Sequence, residues 1–357
     1  MNSLQPLASS LQPKSAFHMP AEWEPHEATW ISWPHPQGVS FPGRYNEVIP
    51  TFVAMAEAIG ASEIVRINVL DTAEERSVRL LLEPRIPKEH LEFYHIPTQE
   101  PWCRDHGPIF VRPHSPNTTS SLAILDWDYN AWGKKYLPYD LDNAVPRTVA
   151  AILKLPSIQP EMVLEGGSID VNGAGALLTT QSCLLHKNRN PHLTQKQIEE
   201  KLQCYLGVTH IYWLGDGIEG DDTDGHIDDI TRFVNEETVI TMIENNHADP
   251  NHLPLQKNCE RLKTFFLPSG KPLRIVELPM PPHLEREGQR LPASYANFYI
   301  TNTSVLLPIF KAASDAIAVD ILSTLFPTRT VLPIDCRELI WGLGAFHCLT
   351  QQVPVHQ

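Results

Sequence analysis

The chain has few cysteines and none that are paired by spacing. Six are scattered over 357 residues with no C-x-x-C, which argues against a zinc ribbon or thioredoxin-type pair and provides no disulfide framework. Basic charge is also scarce: 28 Lys and Arg stand against 42 Asp and Glu, a formal net charge of −14. Phosphate binding wants clustered Lys and Arg, so nucleic acid is not an expected partner and a cationic small molecule fits better. No apolar run reaches the roughly 18 residues of a membrane span. The opening MNSLQPLASSLQPKSAFHMP lacks the basic-then-apolar order of a secretory signal. There is no Walker lysine loop, no GxGxxG after a strand, no H-E-x-x-H and no H-x-E with P-C-x-x-C. These absences describe a soluble protein of a reducing compartment, read as cytoplasmic.

What is present supports a large core, since 42% of the residues are hydrophobic. Residues 1–18, rich in Ser, Gln and Pro, read as a flexible arm, and 19–357 as a single domain. Strands are expected over 63–70 and 121–129, and strand pairs over 168–185, 226–243 and 296–310. Helices are expected over 45–60, over 193–207 with a Thr194 cap, and over 314–326 with a Ser314 cap. The recurring order of hairpin, helix and strand hints at similar modules around an axis, each of roughly 70 residues if there are five.

Four short stretches carry side chains suited to chemistry, although each alone also fits an ordinary turn or solvated loop. In WCRDHGP (102–108), Asp105 lies between Arg104 and His106 ahead of a Gly-Pro turn. In EGGSIDV (165–171), Glu165 precedes two glycines that would let backbone approach a ligand closely. In EGDDTDGHIDD (219–229), six carboxylates surround His226 with no basic residue among them, so a cation is expected nearby. A calcium loop fails there. With Gly225 at the sixth position, Gly220 falls first and Thr231 twelfth, where an oxygen ligand and a bidentate Glu are needed. What remains is a Gly-His-x-Asp element. In an extended segment His226 would share a face with Asp228, and with Asp224, as an acid–base unit. In GLGAFHCLTQQ (342–352), two glycines approach Cys348, which reads as a buried structural thiol or as a nucleophile. The other five cysteines read as structural.

Taken in order, these stretches resemble the agmatine deiminase and bacterial-type peptidylarginine deiminase family. The resemblance runs from MPAEWEPHEATWISWP (19–34) through DWDYNAWG (126–133), NRNP (188–191) and ASYANFYITN (293–302) to HCLTQQVP (347–354). It implies an α/β fold of the pentein kind, a five-bladed α/β propeller of ββαβ-type modules with the active site on its axis. It implies hydrolysis of a guanidinium group without metal or organic cofactor, through a covalent thiouronium on Cys348. His226 matches the acid–base, Asp105 and Asp228 the carboxylates that grip the guanidinium, Glu165 the acid beside them, and Trp102 a pocket wall. The chain departs from the plant-type pattern in reading GLGAFHC before the nucleophile, and in having Asp224 and Asp229 where Asn is frequent.

The favoured substrate is agmatine, converted with water to N-carbamoylputrescine and ammonia in putrescine and polyamine biosynthesis. Asp222 or Asp224, helped by Glu219 or Asp221, would meet its amine, and Asp229 would face away. Peptidylarginine or free arginine, giving citrulline, is the alternative; a non-catalytic cation-binding propeller is a third. Family resemblance also implies a possible homodimer. The carboxylates should raise the Cys348 pKa, and a bound cation should bring it down again.

Overall fold

The computed structural model describes residues 15–114 and 120–356. Most of the expected arm lies outside them. Its end does not: Phe17–His18 forms a short strand against Arg112 and Pro113, and the Met19 amide donates to the Leu206 carbonyl, so the described fold begins before residue 19.

Helix Tyr45–Gly60 shows how pattern becomes structure. It buries Val48, Phe52, Met55 and Ile59, a stripe at helical spacing. It crosses between His26–Ser32 and Ile64–Val69, which pair in parallel. Parallel neighbours need such a crossover, whereas antiparallel ones need only a turn.

The same order recurs in five sheets among the described residues. An antiparallel pair is followed by a helical crossover and a third strand parallel to the second. The sets are Ile109–Pro113, Ala123–Leu125 and Ser157–Ile158; Ile169–Val171, Ala176–Thr180 and His210–Leu214; Thr231–Asn235, Thr238–Ile243 and Arg274–Pro279; and Tyr299–Ile300, Ser304–Ile309 and Thr330–Asp335. In the fifth, Thr350–Pro354 pairs antiparallel with His26–Ser32, which runs parallel to Ile64–Val69. A sixth sheet is the small hairpin Glu285–Arg286 and Gln289–Arg290. No helix among the described residues is long and apolar enough to cross a membrane.

Three local expectations change. Thr194 caps Gln195–Leu206 with a reciprocal Gln197 bond, but Ser314 does not cap its helix. That helix starts at Ala313, with Asp315 Oδ2 accepting from the Ala312 amide, while the Ser314 hydroxyl bonds Tyr295. Strand 121–129 shrinks to Ala123–Leu125, beyond which Asp128 pairs with Val163 only as an isolated bridge. Residues 227–229 form a single 3-10 turn rather than extended strand, which moves the first strand of that pair to Thr231.

Candidate active site

Four tight turns, each just ahead of the first strand of a sheet, bring the chemistry together. Asp105 sits in the helical turn Cys103–His106, and Glu165 precedes the turn Gly166–Ser168. His226 precedes and Asp228 belongs to Ile227–Asp229, and Cys348 lies in Phe346–Leu349. Asn297, two residues before strand Tyr299–Ile300, holds the equivalent place in the remaining sheet. A Cβ built on Gly167 would stand 2.6 Å from His226 Nδ1, 2.8 Å from Asp105 Oδ1 and 3.0 Å from Asp228 Oδ2. Three polar side chains therefore meet over a bare backbone, which no other residue type would permit. Asp105, Cys348, Trp102, Trp132 and Asp222 line an adjoining cavity of about 200 Å³.

Asp105 and Asp228 are each held by partners of their own. The Gly167 amide donates to Asp105 Oδ1 and Trp132 Nε1 to Oδ2, both at 3.0 Å. Trp132 reaches it from a left-handed backbone at φ 52°, costly for a bulky residue and typical of functional sites. Asp228 Oδ2 lies 2.7 Å from His347 Nδ1, whose Nε2 is 2.9 Å from Glu22 Oε2. Glu22 in turn pairs with the buried Arg104 and Arg232. Asp228 Oδ1 has no partner, so the carboxylate is fixed by one oxygen and free at the other.

Asn297 is the residue that sequence reasoning missed. Its Nδ2 donates to Cys348 Sγ and to Asp229 Oδ1, each at 3.0 Å. Its Oδ1 accepts from the amides of Ala345, His347 and Cys348 at 3.1–3.3 Å. Arg232 braces it by donating to the carbonyls of Ala296 and Phe298 on either side. Asp229 is therefore buried toward the nucleophile rather than facing away.

Charge in the site is set by burial and by the crowd of carboxylates. Burial pushes Asp105 up to about 6; neighbouring Asp228 and Glu165 push the same way and His226 opposes them. Burial alone would discharge His226, but Asp105, Cys183 and Asp228 outweigh it and hold the ring well above its usual range. The ring Nδ1 is 3.7 Å from Asp105 and 4.0 Å from Asp228. Burial would also raise Asp228, yet His347 and His226 keep it below the ordinary carboxylate value. The Cys348 thiol is pushed well up, first by burial and then by Asp228, Asp229 and Asp105.

The acidic stretch 219–229 is not short of cations once folded. Asp224 is bound by Lys135, Asn188 and Arg189 at 2.6–2.9 Å, and Arg290 pairs with Glu219. Asp221 binds the loop's own amides at Thr223 and His226. Asp222 alone of the loop's carboxylates lines the cavity, with one oxygen on the Tyr136 hydroxyl. Arg189 also donates to Glu165 Oε1 at 2.6 Å, linking the loop to the wall of the site. Trp102 is a cavity wall that donates to Ser40 Oγ. A Cβ on Gly344 would meet its ring at 2.7 Å and Cys348 Sγ at 3.2 Å.

Comparison with known proteins places the chain in a family. The family model described as Porphyromonas-type peptidyl-arginine deiminase matches residues 18–354. A curated relative from Legionella pneumophila (strain Paris) is 37% identical over 341 residues, covering 95% of each chain. The solved agmatine deiminase of Enterococcus faecalis is 32% identical, with a TM-score of 0.86 over 95% of this chain and 96% of that one. A Cys-to-Ser variant of C. jejuni agmatine deiminase with substrate bound is 32% identical, with a TM-score of 0.85 over 94% and 96%. The chain belongs to the Porphyromonas-type peptidyl-arginine deiminase family, whose members here share its α/β fold from end to end.

Proposed function

We propose that the protein hydrolyses the guanidinium group of agmatine, and that its five similar sheets stand as propeller blades around the axis where their turns meet. The carrying observation is the meeting of a thiol, an imidazole and paired carboxylates beside one cavity. Asp105 and Asp228 hold the planar cation by charge-assisted bonds and aim its carbon at Cys348 Sγ, which is 3.6 Å from Asp228 Oδ2. The thiolate adds to the carbon, forming the S–C bond. His226, held as imidazolium, gives its proton to a terminal nitrogen; the C–N bond breaks and ammonia leaves. Water then loses a proton to the neutral ring and adds to the thiouronium carbon. The C–S bond breaks, releasing the ureido product and restoring Cys348. Ammonia and ureido-product assays on agmatine, free arginine and an arginine peptide test this reading; no release from any of them refutes it.

The resting thiol is protonated, so the substrate has to help ionise it. One positive charge about 4 Å from sulfur contributes on the order of 4 kcal/mol at an effective dielectric near 20, and each pKa unit corresponds to about 1.4 kcal/mol. Alkylation of Cys348 across pH should show its apparent pKa falling by about three units when a non-hydrolysable guanidinium is bound. An unmoved pKa refutes the idea.

We further propose that Asp222 reads the agmatine amine, while Asp224 serves the scaffold. Asp222→Asn should raise KM roughly tenfold, a loss of about 1.4 kcal/mol, with kcat nearly unchanged. Asp224→Asn should leave KM within about twofold and cost about 2 kcal/mol of stability, the scale of charged hydrogen bonds. Burial would raise Asp224, but Asn188, Lys135 and Arg189 hold it down from the usual 3.8 to about 2. A carboxylate with a depressed folded value stabilises above its unfolded value and loses that contribution as pH falls through the folded one. The Asp224 contribution is therefore complete above about pH 4 and lost toward pH 2. Chemical denaturation of both chains over that range should show their stabilities converging.

A further inference from the structure

The imidazole that moves protons in the proposed reaction has a second face that the reaction does not use. Nδ1 is turned toward Asp105 and Asp228, which leaves Nε2 for the other side. There, ligand atoms of His226, Glu165 and Cys183 all lie within 4.8 Å of one another, and all three residues are buried. Cys183 sits in the helical turn Gln181–Leu184, fixed where its amide donates to Thr180 Oγ1. Neither ring nitrogen of His226 makes a hydrogen bond of ordinary geometry, the Cys183 thiol standing close beside the ring, and Glu165 Oε2 has no partner. Buried polar atoms are rarely left unmatched, and two of these belong to one three-residue group.

We propose that this group is an inhibitory site for a borderline-soft divalent cation such as Zn²⁺, bound by His226 Nε2, Cys183 Sγ and Glu165. Thiolate, imidazole and carboxylate together form a zinc-type ligand set. The surroundings suit such a site. A metal-bound histidine usually gives its other N–H to a carboxylate, and Asp105 and Asp228 stand at Nδ1. Arg189 holds Glu165 by Oε1 and leaves Oε2 free, as an outer partner does for a ligating carboxylate. Metal–ligand bonds of 2.0–2.3 Å set ligand atoms roughly 3.5 Å apart in a tetrahedron. The ligand atoms here lie within 4.8 Å of one another, so the group closes up on the ion as it binds. Such a site suits a reversible inhibitor rather than a resident ion. On binding, the Cys183 thiol and the Nε2–H of the imidazolium each give a proton to solvent, and the ring is pinned through Nε2. Its Nδ1 can then no longer cycle between proton donor and acceptor. Only this loss of turnover rests on the deiminase reading; the binding itself does not.

Cobalt(II) serves as the spectroscopic probe. In Cys348→Ser, where the proposed nucleophile cannot supply sulfur, Co²⁺ should give a near-ultraviolet sulfur-to-metal charge-transfer band. Cys348→Ser/Cys183→Ser should lose it, and Cys348→Ser/Glu165→Gln should keep it with at least tenfold weaker affinity. No band in Cys348→Ser, or a band surviving loss of Cys183, overturns the site whether or not the protein deiminates agmatine. With Cys348 intact, Zn²⁺ should inhibit ammonia release, and Cys183→Ser should be at least tenfold less sensitive. Equal sensitivity would place the metal elsewhere and overturn the proposal. If Cys183→Ser does not fold, the Glu165→Gln comparison decides, since unchanged Co²⁺ affinity there also overturns it.

Discussion

Cys348→Ser should lower kcat for ammonia release by 10⁴-fold or more, the scale on which single nucleophile replacements act. Cys348 is 5% exposed, lines the cavity beside Asp105, and has three carboxylates near it. A thiol in that field ionises with difficulty but within reach of a bound cation; a serine hydroxyl, with a much higher intrinsic pKa, does not. Asp105 and Asp228, the carboxylates proposed to grip the guanidinium, remain, so agmatine should still bind with an affinity within a few-fold of the unmodified chain. Calorimetric titration of the variant with agmatine, alongside single-turnover ammonia release, checks both halves. Turnover within tenfold of the unmodified chain would remove Cys348 from its assigned role.

Asn297→Ala should lower kcat by about 10²–10³ and destabilise the fold by about 2–4 kcal/mol. One small side chain satisfies two buried acceptors and three backbone donors around the nucleophile turn. Each buried group left unpaired costs about 1–3 kcal/mol, although the His347 amide keeps a second acceptor in the Asn297 carbonyl. The Sγ contact is the catalytic half of the effect, because Nδ2 stabilises negative charge on sulfur against the surrounding carboxylates. A paired swap separates this from the structural half. Asn297→Asp/Asp229→Asn keeps an oxygen for the three amides and restores a bond between positions 297 and 229, but removes the donor at sulfur. Thermal stability should recover to within about 1 kcal/mol, while the alkylation pKa of Cys348 stays at least one unit above that of the unmodified chain. If that pKa also recovers, Asn297 acts on the fold alone.

The parts of the site legible in the sequence are those whose chemistry and turn lie in one short stretch. Asp105, Glu165, His226 and Cys348 each stand beside glycines or at a strand entry, and a local reading reaches them. His226 and Asp228 differ from the strand pattern that their spacing predicts. A 3-10 turn that follows His226 and contains Asp228 brings them together, not one face of a strand. Asn297 escaped because an asparagine before a strand is ordinary turn chemistry. Its signal was the repeating order of elements, since four of the five sheets carry a reactive or gripping side chain at that place. The counter-charges of the acidic loop escaped for another reason. Arg189, Lys135 and Arg290 are 35, 89 and 71 residues from their carboxylates, so composition within 219–229 could not reveal them. Of the carboxylates in this stretch, Asp222 alone faces the cavity, so there a cation from the substrate is still to be expected.

The pairing of Thr350–Pro354 with His26–Ser32 has a consequence for how the protein is made. During synthesis, His26–Ser32 leaves the ribosome more than three hundred residues ahead of its antiparallel partner. Until then it is an open sheet edge, a place where nascent chains pair wrongly or need a chaperone. The turn that carries Cys348 runs straight into the late strand. Joining the two ends of the fold and presenting the thiol are therefore one event, and a ribosome-bound chain short of that strand has no active site.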